Sequence, residues 1–148
     1  MKIGVSSYSF QQLINSGKET QISIMKKAKD MGFDGIEFID LSPDEGISEA
    51  EYAAMIREES EKLSLPVTAY TISANLLKDT GLDAEVERIC KKVDIAEILG
   101  AKIMRHDAAW GMPESMKASA GFDQILPTLV DGCRRVTEYA QTKEDTSY

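Results

Sequence analysis

The side chains best suited to chemistry collect in one stretch, Ala101–Trp110 (AKIMRHDAAW), where an apolar run ends in Arg105, His106 and Asp107. It also holds the only His and the only Trp of the chain. His106 can titrate near neutrality, coordinate a metal or hydrogen-bond a hydroxyl. A hydrogen-bonded histidine that merely finishes a strand is an equally good reading of the same residue. Strand alternation places Lys102, Met104 and His106 on one face and Ile103 and Arg105 on the other. Glu37 is the second unusual group, centred in GIEFI. A carboxylate inside an apolar strand must be paired, protonated or facing a polar cavity, because burying it alone is costly. Its structural alternative is an ion pair with Lys102 or Arg105 on a neighbouring strand. Asp40 and Asp107 close strand ends, where they either cap loops or touch a ligand. Tyr8, Phe10 and Trp110 offer flat apolar surface on which a ring can stack, and they serve equally well as loop anchors.

Positioning these groups requires strands, and the chain supplies them in a regular order. Lys2–Tyr8, Phe33–Leu41 and Pro66–Ile72 have the β-branched and aromatic content of strands, and the apolar half of AKIMRHDAAW reads as a fourth, buried one. Helical periods lie between them. Ile22, Met25, Ala28 and Met31 share a face of a helix predicted over about Thr20–Met31 and stopped by Gly32. Ser48-Glu49-Ala50-Glu51 is a capping box opening a helix to about Leu63, with Tyr52, Met55, Ile56 and Leu63 inward and Glu58, Glu59 and Lys62 in water. Asp83 can cap a third helix, in which Val86, Ile89, Cys90 and Val93 keep the period as far as Gly100. A last helix is predicted from Gly121 to Gln141, burying Phe122, Ile125, Leu129, Val130, Cys133, Val136 and Ala140, with Pro127 marking a kink or a late start. Residues 1–143 are read as a single βα domain and 144–148 as a frayed polar tail.

Strand followed by helix, four times over, demands an α/β fold with a parallel sheet and right-handed crossovers. Helix-to-strand connections are tight, at Gly32, at Ser64-Leu65 and at Gly100. Strand-to-helix connections are long, at Ser9–Glu19, Ser42–Ile47, Ser73–Leu82 and Ala108–Ala120. Long loops gathered at the carboxyl ends of parallel strands are where such sheets keep their ligands.

Composition narrows the partners. The chain has 148 residues, 43% hydrophobic and 28% charged, as expected of a soluble globular domain. With 17 Lys and Arg against 25 Asp and Glu, the net charge of -8 repels phosphate backbones and anionic lipid, which disfavours nucleic-acid and membrane partners. No stretch is long and apolar enough to cross a bilayer and the N-terminus lacks a signal-peptide pattern, so a cytoplasmic location is expected. Cys90 and Cys133 read as small buried hydrophobes rather than as a disulfide or metal ligands. Glycine-rich phosphate loops, H-E-x-x-H, C-x-x-C and G-x-S-x-G are all missing, which removes most support for nucleotide-dependent and nucleophilic hydrolase classes.

KIGVSSYSF, the helix followed by GFDGIEFIDL, the LGAKIMRHDAAW stretch and the CRRVTEYA helix together resemble the sugar phosphate isomerase/epimerase family, the xylose isomerase-like TIM barrels. The resemblance runs from Met1 to about Lys143 and covers only the N-terminal half of that fold. It implies an eight-stranded barrel in which a divalent metal, often manganese, polarises a sugar hydroxyl and carbonyl while carboxylates move a proton between adjacent carbons. The family takes its metal set of Glu, Asp, His and Glu from strands five to eight, so no metal ligand is carried over to this chain. The endonuclease IV branch adds a His on strand three and another on strand four; His106 fits the second, but strand three offers Tyr70 and Thr71 instead. By likeness to the family, His106 is assigned inward and Glu37 looks into the site. Substrate contacts are then expected at Tyr8, Glu37, His106, Asp107 and Trp110, with the catalytic residues unassigned and a small sugar or sugar phosphate as the ligand.

Four βα units left open would expose two strand edges and a sheet face meant for a barrel interior. A two-fold axis along the barrel axis would set strand four of one copy beside strand one of another, so a homodimer completing the half TIM barrel is expected. Two function classes stay open. In one, the chain is an isomerase/epimerase-like half of carbohydrate metabolism, inactive alone and completed by a second half. In the other, it is a non-catalytic truncated half-barrel serving as an assembly or carbohydrate-binding module.

Overall fold

The alternating periods are realised as one parallel sheet with connecting helices. The computed structural model describes residues 1–117 and 121–144. Strands β1 (Gly4–Ser6), β2 (Gly35–Ile39), β3 (Val67–Ile72) and β4 (Met104–His106) follow the order β1-β2-β3-β4 in the sheet. Helices α2 (Ser23–Asp30), α3 (Glu49–Leu63) and α4 (Leu82–Leu99) link them in turn, and α6 (Phe122–Glu144) follows β4. A 3₁₀ turn (Ser7–Phe10), α1 (Gln11–Asn15) and α5 (Glu114–Lys117) are short helical pieces inside connections expected to be loops. This is the α/β architecture of half a TIM barrel. Helix α6 extends through Glu144, and the rest of the expected tail, 145–148, lies outside the described residues.

The described chain forms two compact units. The first comprises Met1–Ile72 with Ile95–Arg105, and the second Ser73–Asp94 with the chain from His106. In the first unit, Ile36, Phe38, Tyr70 and Ile72 are wholly buried on one face of the sheet, and the helices contribute Ile24, Met25, Ala28, Tyr52, Ala53 and Ile56 to the same core. Each such large apolar side chain stabilises the fold by about 2 kcal/mol. Helix α2 begins later than its periodicity suggested. Thr20 Oγ1 accepts from the Ser23 amide at 3.0 Å and Ser23 Oγ accepts from the Thr20 amide at 2.8 Å, a reciprocal lock that puts Ile24 rather than Ile22 in the core. Met31, expected inward, caps the helix end and is exposed.

The capping box of α3 forms as its sequence requires: Ser48 Oγ accepts from the Glu51 amide at 3.2 Å, and Glu51 Oε2 accepts from the Ser48 amide at 2.9 Å. Met55, expected inward, is exposed, and Leu63 is half-buried. The helix ends on Ser64 in the left-handed region, at φ 49. The buried Ser60 hydroxyl donates to the Leu65 carbonyl at 2.8 Å and ties the chain down just beyond that turn. Gly100, at φ +74, ends α4 in the same way, and a Cβ there would stand 2.7 Å from the Arg57 guanidinium. The tight helix-to-strand turns read from the sequence are therefore set by backbone that only a few residue types tolerate.

Strand β4 departs from its expected burial. Ile103 is 62% exposed and Lys102 is exposed, while Met104 is half-buried. The apolar run leads into β4, one of the two edge strands of the sheet, and is not covered.

The second unit is held by α6 and a buried carboxylate. Ile125 and Val136 of α6 are buried, and Gly132 lies so close to Leu76 and Leu82 that a Cβ would approach Leu76 methyls to 2.8 Å. Arg135 pairs with Asp83 at 2.8 Å, the Tyr139 hydroxyl donates to Asp94 at 2.8 Å, and Lys143 reaches Asp94 at 2.7 Å. Phe122 and Val130, expected inward, are exposed together with Leu126, forming a second apolar stripe at helical spacing. Pro127 sits within a continuous helix. Cys90 and Cys133 are free and half-buried.

Candidate functional site

Register decides which side chains share a face of the sheet. Ser6 pairs with Glu37, Glu37 with Ala69, and Ile39 with Thr71. Thr68 is the extra residue of a β-bulge between the Ile36 and Glu37 positions, and its hydroxyl donates to the Ile36 carbonyl at 3.2 Å. Only glycine fits beside it, since a Cβ on Gly35 would meet Thr68 Cγ2 at 2.6 Å. With Ile36, Phe38, Tyr70 and Ile72 on the buried face, Ser6, Glu37, Ala69 and Thr71 occupy the opposite one and are half-buried. The Tyr70 amide donates to the Ile103 carbonyl at 2.9 Å. In a parallel ladder this sets Met104 beside Tyr70, so Ile103 and Arg105 join the face of Glu37.

That face carries two unpaired charges. Neither the Glu37 nor the Arg105 side chain makes a hydrogen bond or ion pair with another described residue, so the expected alternative, a Glu37 pair with Lys102 or Arg105, is not formed. Strand β3 lies between β2 and β4, which separates the two by about 10 Å, two strand spacings. The intervening Ala69 and Thr71 are small. Around this face, Ser7 Oγ accepts from the Ile39 amide at 3.0 Å, and Gln21, 3% exposed, clamps the β2–α3 loop through the Asp40 carbonyl and the Ser42 amide. Tyr8, on the 3₁₀ turn after β1, is 68% exposed and its amide donates to Ser6 Oγ at 3.3 Å. Phe10 is buried in the core and offers no stacking surface.

Tyr70 contributes its hydroxyl to Glu49 at 3.1 Å. Burial, then the nearby charges of Glu49 and Asp40, push its phenol far above the usual range, so it stays neutral.

The second unit gathers His106, Asp107 and Trp110 at the end of β4. His106 Nδ1 lies 2.9 Å from the Asp107 carbonyl, a contact that requires the ring nitrogen to carry its proton. Alternation from Met104 sends this ring to the side of β4 opposite Arg105, which corrects its inward assignment; the family likeness did not fix the register, and the Tyr70–Ile103 bond does. The Trp110 indole N–H donates to Asp107 Oδ2 at 3.1 Å, and Trp110 is 70% exposed. Asp107 thus holds an aromatic ring whose surface is open. The Leu76 amide donates to the Ala108 carbonyl at 2.8 Å, fastening this turn to the β3–α4 loop.

That loop is organised by Glu85, which is 2% exposed. Its carboxylate accepts from the Asn75 amide at 2.9 Å, from Lys78 at 3.1 Å and from Arg88 at 2.8 Å, while Arg88 also donates to the Ser73 carbonyl at 2.6 Å. Burial alone would raise its pKa, but Arg88, the Asn75 amide and Lys78 hold it down at about 2. Sequence reasoning missed Glu85, although its place between Leu82 and Ile89 on the inward stripe of α4 was a readable sign. Arg105 was read only as an ion-pair partner.

Among the described residues no three His, Cys, Asp or Glu side chains converge to hold a metal ion.

A family model described as "Xylose isomerase-like TIM barrel" matches residues 25–144. Among solved structures, a 3-keto-D-glucoside 4-epimerase from E. coli in its apo form aligns with TM-score 0.72 at 20% identity, over 97% of this chain and 53% of its own. A protein from Anabaena variabilis, provisionally named a sugar phosphate isomerase/epimerase, aligns with TM-score 0.61 at 17% identity, over 96% of this chain and 51% of its own. This chain therefore spans about half the length of each, and at such identities the likeness is one of fold. No curated protein matches the sequence. With the family model covering most of the chain and the half-barrel sheet observed, the protein belongs to the xylose isomerase-like TIM barrels.

Proposed function

We propose that this chain is the N-terminal half of a sugar isomerase/epimerase-type barrel and that its task is to hold a ketose or ketose phosphate for proton transfer between adjacent carbons. The observation that carries this reading is Glu37. Its carboxylate sits mid-strand, half-buried and without a described partner, on the sheet face that a closed βα barrel turns inward. Tyr8 flanks the end of β1 as a contact for the sugar ring, and within the second unit Asp107 presents the open ring of Trp110. His106 contributes by fixing the Asp107 carbonyl. The chain alone turns over ketoses poorly even with manganese.

A second set of βα units, supplied by another copy of the chain, stands beside β4 in this reading. The exposed Ile103 on β4 and, within α6, the exposed Phe122, Leu126 and Val130 support it.

Calorimetric titration of the protein with ketoses and ketose phosphates tests the reading. Saturable binding that weakens at least fivefold in Glu37→Gln, with no fall in melting temperature, is expected. Binding that Glu37→Gln leaves unchanged would return the chain to its alternative role as an assembly or carbohydrate-binding module.

A further inference from the structure

Strand β1 stops at Ser6, opposite Glu37, whereas β2 runs on to Ile39 and then into the connection before α3. Past Ser6 the strand ladder between β1 and β2 has ended, and backbone groups buried there without partners would be costly. Side chains take over the pairing. Ser7, wholly buried, accepts from the Ile39 amide at 3.0 Å. Gln21, 3% exposed and just ahead of α2, donates to the Asp40 carbonyl at 3.1 Å and accepts from the Ser42 amide at 2.8 Å. Leu41, between those two contacts, is itself buried. The chain is therefore fastened from the second residue after Glu37 onward, and Ile39, the first residue held, shares the Glu37 face. A long connection at the carboxyl end of a parallel strand is where a closing lid is commonly found. Lifting this one would strip the Gln21 amide, the Asp40 carbonyl and the Ser42 amide of their partners together, which opposes a lid and favours a fixed wall.

We infer that Gln21 is a positioning residue, whose buried amide continues the β1–β2 ladder by side chain and holds residues 39–42 as a preformed rim beside Glu37, so that ligand binds there without loop closure. The inference rests on the proposed sugar-binding role and adds to it the device that keeps the Glu37 side of the site in place.

Amide exchange followed by NMR, together with titration of the tightest binder from the ketose and ketose phosphate panel, tests it on wild type, Gln21→Leu and Gln21→Glu. Glu85→Gln, destabilised in the other unit, is the control for a general loss of stability. In Gln21→Leu the Ser42 amide should exchange at least tenfold faster while β3 amides keep their wild-type rates, and sugar affinity should fall at least threefold. Gln21→Glu can still accept from the Ser42 amide and should recover part of both losses. Glu85→Gln should change neither, and adding sugar to wild type should alter exchange over 40–42 by less than twofold. Unchanged Ser42 exchange in Gln21→Leu would overturn the inference, as would a loosened rim with wild-type affinity or a tenfold slowing of exchange over 40–42 on sugar binding, the mark of a lid. An equal loss of affinity in Glu85→Gln would also overturn it, by reducing the effect to stability. Should Gln21→Leu not fold, Gln21→Glu decides: faster Ser42 exchange with weaker sugar binding supports the inference, and wild-type values of both end it. Should wild type bind no member of the panel, the proposed function fails, and exchange alone decides whether Gln21 holds the rim.

Discussion

At the scale of single residues, the charges of this protein divide into those satisfied by the fold and those left over. Glu85 is fully engaged, with Arg88, Lys78 and the Asn75 amide around a carboxylate held near a pKa of about 2. Its folded pKa lies below the unfolded value, so its contribution is complete above about pH 4.5 and is lost as pH falls toward 2. A shift of that size corresponds to about 3 kcal/mol. Thermal melts of wild type should therefore fall steeply between about pH 5 and pH 2, and Glu85→Gln should be less stable at pH 7 with a flatter profile. A melting temperature in Glu85→Gln that matches wild type at pH 7 would show that the network contributes nothing. Glu37 is the contrasting case, because removing its charge costs the fold no described partner. Its oddity was legible in the sequence, since a carboxylate inside GIEFI has few explanations. The facing of Arg105 and His106 was not legible, because alternation gives two sets of residues without saying which is inward. One inter-strand hydrogen bond, from Tyr70 to Ile103, made that choice.

At the scale of elements, the parts that local chemistry dictates were readable and the parts that tertiary cover dictates were not. The Ser48–Glu51 box predicted the start of α3, and its geometry is present in full. Ser48→Ala should lower stability by about 1 kcal/mol, seen as an earlier midpoint in urea with an unchanged slope. The end of the same helix makes the opposite prediction. Ser64 holds a left-handed conformation that costs a side chain energy, so Ser64→Gly should raise stability by up to about 1 kcal/mol. A midpoint that moves down would mean that the Ser64 side chain stabilises the turn by more than the left-handed backbone costs. The misreadings have one cause. Met31, Met55, Phe122, Val130 and Ile103 are apolar at plausible inward spacing, but a helix or edge strand has more apolar positions than one neighbour can cover. Periodicity marks candidate faces, and packing partners choose among them.

At the scale of the whole molecule, the element order alone carried the α/β half-barrel, since four strand-helix repeats with tight returns admit few topologies. Cover of the open half by a second copy is the association proposed above. Light scattering at micromolar concentration should report a dimer, and a stable, well-folded monomer would contradict the homodimer proposed from Ile103 and the α6 stripe. Among the described residues no helix is long and apolar enough to cross a membrane. The central claim is that the Glu37 face of this xylose isomerase-like half-barrel holds a sugar, and its most direct test is saturation-transfer NMR of a ketose and ketose phosphate panel on wild type and Glu37→Gln. Transfer to the sugar protons of at least one panel member, strongly reduced in Glu37→Gln at equal melting temperature, is the predicted result. No transfer to any member, or transfer indifferent to Glu37, would contradict it.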